Sequence, residues 1–243
     1  MRGPGRRRTS STDRRTDATG PTTTDQFPGP IVVGALMGAA VLPGLALERV
    51  TEVELRRKEM ADQRDRLAEA DPRVRVVHNA SNLKLGGALR AGYAAARKDL
   101  VFYTDADLPI DLEELPRAVR LLEYQQADIV AAYRHDRTSE GWLRTVYTFA
   151  YNHLIRILFG LKVRDVNFAF KLFRRSVLDR FPLKSNGSFI DAEFLLRARK
   201  HGCPIIQIGL DYFPRTRGLS TLASFGVIGA MLREMAENWS ELR

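Results

Sequence analysis

From Arg73 to the end of the chain, apolar residues recur with two different periods. Apolar or β-branched runs typical of strands occur in RVRVVH (73–78), DLVFYTD (99–105), ADIVAAYR (127–134) and PIIQIGLDYF (204–213). Helical spacing occurs in GGALRAGYAAARK (86–98), LEELPRAVRLLEYQ (112–125), GWLRTVYTFAYNHLIRILFG (141–160), DAEFLLRARKHG (191–202) and LASFGVIGAMLREMAENWSEL (222–242). Strands that alternate with helices predict an α/β fold with a mostly parallel sheet flanked by helices.

The part of the chain before Arg73 has a different character. Residues 1–30 are rich in Arg, Thr, Gly and Pro, and we expect a disordered basic tail because they bury too little apolar surface to offset the ordering entropy. Ile31–Leu47 is an uncharged apolar run near the lower length limit for a membrane span. Its proline at position 43 would interrupt a helix, so a span and a buried or interfacial segment both stay open. Residues 48–72 form a charged helical connector, and residues 73–243 form the folded domain.

Charge and cysteine content narrow the classes of partner. The formal net charge of +9 and the pI near 10.0 would attract nucleic acid, anionic lipid headgroups or phosphorylated substrates. Charge is the only feature that favours nucleic acid, because the sequence has no recognition motif or aromatic platform, so we expect no nucleic-acid partner. The single cysteine, Cys203, excludes an internal disulfide and a cysteine-based metal cluster.

The stretch FYTDADLPID (102–111) places carboxylates directly beyond a predicted strand. Ligands of open parallel sheets bind beyond the carboxyl ends of the strands. Asp105 and Asp107 form a DxD pair that could face one divalent ion, since Mg²⁺ or Mn²⁺ accepts oxygen ligands and keeps positions for phosphate oxygens. An aspartate after a strand is equally explained as a helix cap or turn residue. The spacing alone leaves both interpretations open.

Five segments in order carry a resemblance to a known family. NLKLGGALRAGYAAARKDLVFYTDADLPID, ADIVAAYR, VRDVNFAFKLFRR, SFIDAEFLLRARKHG and FPRTRGLST together resemble family 2 glycosyltransferases of the dolichol-phosphate mannose synthase and polyprenyl-phosphate glycosyltransferase type. The resemblance runs from about Arg73 to the C-terminus. It implies a GT-A fold and an inverting, metal-dependent transfer of a sugar from a nucleotide-sugar donor to a polyprenyl phosphate. The expected location is the cytoplasmic face of a membrane, with peripheral attachment through Ile31–Leu47 or the helix from Leu222.

The resemblance also assigns residues to the site. The metal ligands would be Asp105 and Asp107; the acceptor-phosphate residues Arg134, Arg144 and Thr148; the donor-phosphate residues Arg215, Gly218 and Ser220; and the catalytic residues Asp165 and Asp191. In so basic a chain, solvated surface arginines are the alternative explanation. Asp165 ranks above Asp191, because Asp191 near a helix start is also explained as a residue that stabilises the macrodipole. The acceptor phosphate is already an anion, so positioning and charge neutralisation matter more than proton abstraction.

The sequence departs from the family pattern in two ways. Pro109 stands where many relatives have Gln, with Asp111 as a possible substitute ligand, while Ala169 replaces a usual Gly and Thr221 a usual Lys. The two segments that normally bind the nucleoside are not recognisable before Arg73. A catalytically impaired remnant, or a binding protein that lacks the nucleoside pocket, is therefore the alternative function. A shifted reading frame or a wrong start upstream would produce such a front, and we expect the upstream coding sequence to show it.

Overall fold

The computed structural model describes residues 62–105, 110–135, 142–213 and 225–243. In chain order its elements are α1 (62–70 in the described part), α2 (Lys84–Ala95), β1 (Leu100–Thr104), α3 (Glu114–Tyr124), β2 (Ile129–Arg134), α4 (Trp142–Phe159), β3 (Phe170–Arg174), α5 (Ile190–Lys200), β4 (Ile205–Leu210), α6 (Phe225–Glu237) and α7 (Trp239–Leu242). The expected basic tail, the apolar run Ile31–Leu47 and most of the charged connector lie outside these ranges. Within them, no helix is both long enough and apolar enough to cross a membrane.

The four described strands form one sheet in the order β1-β3-β2-β4. β2 and β4 are parallel, whereas β3 runs antiparallel to both β1 and β2. The α/β class is confirmed, but the expected mostly parallel sheet is mixed. The reason is that β3 begins where β1 ends, with Phe170 opposite Thr104, so it runs back between its neighbours instead of repeating their direction.

The central strand β3 was not among the strands predicted from the pattern. Its sequence FKLFR holds a lysine in the middle of an apolar run, and four of its five residues are buried. A buried strand with a charged residue at its centre breaks the apolar pattern by which such strands are recognised. A lysine is stable at this buried position because Asp191 pairs with it in the folded chain.

The predicted strand 73–78 is not formed. Residues 74–78 have no regular secondary structure, and Val74 and Val77 are 37% and 43% exposed. A strand is stable only when a neighbour completes its hydrogen-bond ladder. No described strand lies beside this segment, so the described part of the chain offers no partner that would make it a strand.

Helices cover both faces of the sheet, as expected. On one face Phe173 of β3 packs against Phe194 of α5, with ring centroids 4.8 Å apart, in a cluster that also includes residues of α4 and α7. On the other face Phe170 and Leu172 pack with Leu122 of α3. Because side chains alternate along a strand, Lys171 points to the same face as Phe173 and therefore toward α5.

Helix α2 approaches the loop 184–187 closely enough to exclude a side chain. A Cβ atom on Gly86 would lie 2.3 Å from the carbonyl oxygen of Ser185, and the N–H of Gly86 donates to the carbonyl oxygen of Asn186 at 2.7 Å. In the same helix, a Cβ on Gly92 would meet nothing within 4 Å. These two glycines therefore differ only in their surroundings.

We expect Gly86→Ala to lower the free energy of unfolding by about 1–3 kcal/mol, because the backbone of the loop must shift. Gly92→Ala is the matched control and should raise it by about 0.4–1 kcal/mol, since alanine reduces the entropy of the unfolded chain. Urea unfolding of both variants measures the difference. Equal effects at the two positions would contradict the close packing of α2 on this loop.

Candidate active site

Polar residues from four parts of the chain meet at one edge of the sheet. Asp105 follows β1, Arg134 ends β2, Asp165 precedes β3 and Tyr212 follows β4. The antiparallel β3 starts at the edge where the other three strands end, so the connection before β3 joins the loops that follow them. This edge is where open α/β sheets bind ligands.

The first pair at this edge joins two residues that were predicted for different roles. Nε and Nη2 of Arg134 donate to Oδ2 and Oδ1 of Asp165 at 2.8 and 3.1 Å, and both side chains are buried. The rings of Phe168 and Tyr212 lie 5.3 and 5.2 Å from the guanidinium carbon. A bidentate pair between aromatic rings fixes both side chains. The predicted acceptor residue Arg134 is thus the direct partner of the predicted catalytic residue Asp165.

The second pair joins Lys171 of β3 to Asp191 of α5. Nζ of Lys171 lies 2.5 Å from Oδ1 of Asp191 and donates to the carbonyl oxygen of Phe168 at 2.9 Å. Burial raises the pKa of Asp191, the Lys171 ammonium opposes this rise, and the charge of Asp165 adds to it. Asp191 therefore faces the sheet and a cation from its place in the first turn of α5, and its hydrogen bond among the described residues is the one to Lys171. The structure brings both predicted catalytic carboxylates together, each with its own cation.

Three tyrosines surround this second pair. Burial raises the pKa of Tyr93, Tyr103 and Tyr151, and the negative charge of Asp191 raises each of them further. The charge of Asp105 also contributes at Tyr103, which places the predicted metal ligand near the same cluster. All three phenols stay neutral at ordinary pH. The hydroxyl of Tyr151 is buried and has no hydrogen-bond partner among the described residues.

Glu193 supports the start of α5 from the other side. It is fully buried and accepts hydrogen bonds from the backbone N–H groups of Lys184 and Ser185 at 2.9 and 2.8 Å. Nε of Arg197, one turn further along the helix, donates to it at 2.6 Å. Glu193 therefore binds the preceding loop rather than a ligand.

Glu234 of α6 holds the next two backbone groups of the same loop. Its Oε1 atom accepts the N–H groups of Asn186 and Gly187 at 3.1 and 2.7 Å. Four consecutive backbone donors in the loop 184–187 are thus occupied by two carboxylates. This clamp fixes the loop that leads into α5 and so determines where Asp191 lies.

The structure describes the remaining predicted residues unevenly. Thr148 is half-buried on α4, Arg144 lies in the same helix without a described side chain, and Asp105 is half-buried after β1. Asp111 is exposed, and its Oδ1 atom accepts the N–H of Glu113 at 2.9 Å, which is a turn contact before α3. The predicted positions outside the described ranges are Asp107, Arg215, Gly218 and Ser220, together with the departures Pro109 and Thr221.

Sequence reasoning did not select Lys171, Phe168 or Tyr103 as site residues. Lys171 had a detectable signal, because it interrupts the apolar run FAFKLF, and a charge in such a run requires a partner when the run is buried. Phe168 and Tyr103 had no comparable signal, since an aromatic residue in a strand or loop most often belongs to the core. Their role depends on which charges lie against them in the folded chain.

Comparison with known proteins identifies relatives over most of the described chain. The model of the family described as Glycosyl transferase family 2 matches residues 57–181. A glycosyltransferase AglD of Haloferax volcanii is 34% identical over 180 residues, which are 72% of this chain but only 29% of that protein. A polyprenol monophosphomannose synthase of Mycolicibacterium smegmatis is 27% identical over 180 residues, 70% of this chain and 68% of that protein.

The chain is also similar to a bacterial mannosyltransferase and to a solved synthase structure. An undecaprenyl-phosphate mannosyltransferase of Micrococcus luteus is 26% identical over 199 residues, 75% of this chain and 80% of that protein. Among solved structures, a glucosyl-3-phosphoglycerate synthase from Mycobacterium tuberculosis in complex with Mn²⁺, uridine-diphosphate-glucose and phosphoglyceric acid is 20% identical, with a TM-score of 0.48 over 70% of this chain and 59% of that one.

Proposed function

Since this chain belongs to glycosyl transferase family 2, we propose that it transfers a sugar from a nucleotide-sugar donor to a polyprenyl phosphate acceptor. The observation that carries the proposal is the pair of buried carboxylates, Asp165 and Asp191, each bound to its own cation at the edge where the strands end. Relatives named for polyprenol and undecaprenyl-phosphate chemistry support the class of acceptor. We also propose that the nucleotide-sugar donor binds at this edge of the sheet, as in a GT-A fold.

The two carboxylates suit different tasks. Both oxygens of Asp165 accept hydrogen bonds from Arg134, so Asp165 serves to hold that arginine. Among the described residues, only Oδ1 of Asp191 has a hydrogen-bond partner, which leaves Oδ2 to accept a hydrogen bond from a substrate hydroxyl. We therefore assign the orienting role to Asp191, in contrast to the ranking drawn from the sequence. Because the acceptor phosphate is itself the nucleophile, in-line attack inverts the anomeric centre without a strong base.

The donor's diphosphate requires charge neutralisation as the sugar leaves. Asp105 and Asp107 would hold a divalent ion there, since two carboxylates one residue apart suit Mg²⁺ or Mn²⁺ and leave positions for phosphate oxygens. In the described ranges no three His, Cys, Asp or Glu side chains are grouped to hold a metal, so the ion would depend on Asp107 and the substrate. Metal titration of the parent chain and of an Asp105→Ala, Asp107→Ala double variant tests this part, and identical curves would remove the ion from the proposal.

Phosphate groups of both substrates need further cationic or hydrogen-bonding partners. In the proposal Arg144 and Thr148, one turn apart on α4, bind the acceptor phosphate beside the pair formed by Arg134 and Asp165. Arg215, Gly218 and Ser220 bind the donor phosphates. Arginine offers charge-assisted, bidentate hydrogen bonds, which match a phosphate group better than a single lysine does.

One side of α4 offers an apolar surface where a lipid acceptor would be met. Val146, Phe149 and Ile157 are 53%, 70% and 66% exposed, and His153 stacks on Phe149 with ring centroids 5.8 Å apart. Spacings of three and four residues place these side chains on one stripe. A helix with such a stripe lies in the interface of a membrane rather than across it. We propose that this stripe contacts the membrane that contains the acceptor.

This surface changes the expected site of peripheral attachment. Ile31–Leu47 lies outside the described residues, and α6 directs Met231 and Met235 into the domain, where both are buried. The stripe on α4 is therefore the better supported contact. The cytoplasmic face stays the proposed side, because the donor would be a nucleotide sugar.

We expect a Phe149→Ser, Ile157→Ser double variant to lose about tenfold or more in partition onto vesicles of phosphatidylcholine and anionic lipid. The reason is that burying one large apolar side chain is worth about 1.5–3 kcal/mol. Tyr124→Ser is the control, since Tyr124 is a large side chain that is even more exposed, at 86%, but lies on α3. Vesicle sedimentation measures the partition. Equal losses for both variants would indicate that α4 has no special contact with lipid.

The function itself is tested by incubating the purified chain and membranes with a panel of radiolabelled nucleotide sugars. The expected result is a labelled product that is extracted with the lipids and is lost with an Asp191→Asn variant. Label in the lipid fraction at the same level without the chain would reject the proposed transfer, and the same level with the variant as with the parent would reject the role of Asp191.

One observation favours the alternative, a catalytically impaired remnant or binding protein of the same family. The segment 73–78 forms no strand, so the described residues do not extend the sheet on the side where a nucleoside pocket would be expected. Calorimetry with nucleotide sugars separates the two functions. Metal-dependent binding below about 1 mM, near the usual range of enzyme substrates, supports the transferase. Acceptor or vesicle binding without donor binding supports the alternative.

A further inference from the structure

Lys171 occupies an unusual position for a charged side chain. It lies on the central strand β3, between Tyr103 of β1 and Ala131 of β2, and its side chain is 1% exposed. Lysine is almost never buried so completely unless it is paired, because an isolated ammonium loses its hydration. Pairing with strands on both sides fixes the backbone of Lys171 in the sheet.

The Lys171 ammonium contacts two oxygen atoms and one aromatic ring. The oxygen atoms are Oδ1 of Asp191 at 2.5 Å and the carbonyl oxygen of Phe168 at 2.9 Å. The ring of Tyr103 lies 5.4 Å from Nζ, which adds a cation–π contact. Two of the three ammonium donors bind these oxygens, and the side chain is shielded from solvent. The ammonium therefore acts on Asp191 rather than on a substrate.

Phe168 connects this pair to the other one. Its carbonyl oxygen accepts from Lys171, and its ring lies against the guanidinium of Arg134, which binds Asp165. Each carboxylate therefore has a separate cation at a fixed place. This arrangement is more specific than packing requires, because apolar residues of similar volume would fill the same space at lower cost.

Resting on the proposed sugar transfer, we propose that Lys171 is a positioning residue that holds the Asp191 carboxylate as a fixed anion beside the reacting sugar. The charged or titratable groups that face Asp191 come from five parts of the fold: Lys171 of β3, Asp165 before β3, Tyr93 of α2, Tyr103 of β1 and Tyr151 of α4. Within this set Lys171 is the only cation. Removing it leaves burial and the charge of Asp165, and both disfavour the anion.

The direction of the pH effect follows from these causes. Asp191 acts as a carboxylate, so activity falls as the pH drops through its pKa. Without the ammonium this pKa rises further, and the acid limb of kcat/KM moves to higher pH, by about 1–3 pH units for loss of a close opposite charge. Activity of a Lys171→Met variant should therefore be lost at low pH and recover in part as the pH is raised. Lys171→Arg keeps the charge and should shift the limb less.

The experiment compares pH profiles of kcat/KM for the parent chain, Lys171→Met and Lys171→Arg. The acceptor phosphate also titrates, but it does so identically with every variant. A purely structural lysine would lower activity by the same factor at all pH values and leave the limb in place, which would overturn the proposal. If Lys171→Met does not fold, Lys171→Gln takes its place as the neutral variant.

A second measurement does not depend on turnover. Carboxyl ¹³C NMR of the full chain follows the titration of Asp191, which is assigned by the signal missing in Asp191→Asn. A higher titration midpoint in Lys171→Met or Lys171→Gln than in the parent supports the proposal, and an unchanged midpoint overturns it. If the parent makes no lipid product, the proposed function fails while this measurement still decides the role of Lys171.

Discussion

Replacing Arg134 with methionine is expected to lower the free energy of unfolding by about 3–5 kcal/mol. The variant leaves the carboxylate of Asp165 buried without the guanidinium that now donates to both of its oxygens. The penalty comes from a buried carboxylate that has lost its bidentate cation more than from the lost contact itself, because the attraction within a buried pair is largely offset by desolvation of its two members. Urea denaturation of the parent and the variant measures it.

Two further variants show whether the cost arises from the buried carboxylate of Asp165 after it loses Arg134. Adding Asp165→Leu to Arg134→Met removes that carboxylate, so the double variant should regain much of the lost stability. Arg73→Met is the control at the surface: Arg73 also forms a bidentate pair, with Asp71, but it is exposed, so its loss should leave unfolding unchanged. A small effect of Arg134→Met, equal to that of Arg73→Met, would contradict the burial of the Arg134–Asp165 pair.

Replacing Asp191 with asparagine should lower kcat/KM by about 10²-fold or more, the effect typical of removing one preorganised electrostatic contact at a reaction centre. Asparagine keeps the shape of the side chain and an oxygen for Lys171, so the loss arises mainly from the missing negative charge. The measurement is the rate of formation of lipid-extractable product at several donor concentrations, which separates kcat from KM.

A buried acid elsewhere in the sheet provides the control. Asp128 precedes β2 at the opposite edge and pairs with Arg180 at 3.1 Å, so Asp128→Asn also removes a paired, buried charge. We expect it to reduce stability but leave kcat/KM close to the parent value. Similar kinetic losses in both variants would show that the effect of Asp191→Asn is a general consequence of destabilisation.

Much of the fold was predictable because the helices and most strands carry a local signal. The apolar run of β1 and the amphipathic pattern of α3 appear within one or two residues of their predicted places. The segment 73–78 and strand β3 show the limit of this reasoning in opposite directions. Segment 73–78 has a strand-like pattern but no described partner strand. Strand β3 pairs with both β1 and β2, but its central lysine interrupts the apolar pattern by which a buried strand is recognised.

The sequence predicts which residues form the candidate site, but not which of these residues pair with one another. The ordered motifs predicted Arg134, Asp165 and Asp191 as site residues, but their spacing along the chain could not show that Arg134 binds Asp165. It could not show either that Asp191 faces Lys171. Pairing between residues 20 or 31 positions apart depends on how the strands are ordered in the sheet.

The sequence by itself determined the family, the α/β class and the chemical types present at the site, because these follow from local periodicity and from motifs within single segments. Only the tertiary structure decided the direction of β3 and which described residues pair with the buried charges, and these pairs are the basis on which we propose Asp191, rather than Asp165, as the orienting group. The physical reason is that a buried charge is stable only beside a partner, and the partner is provided by another segment of the chain.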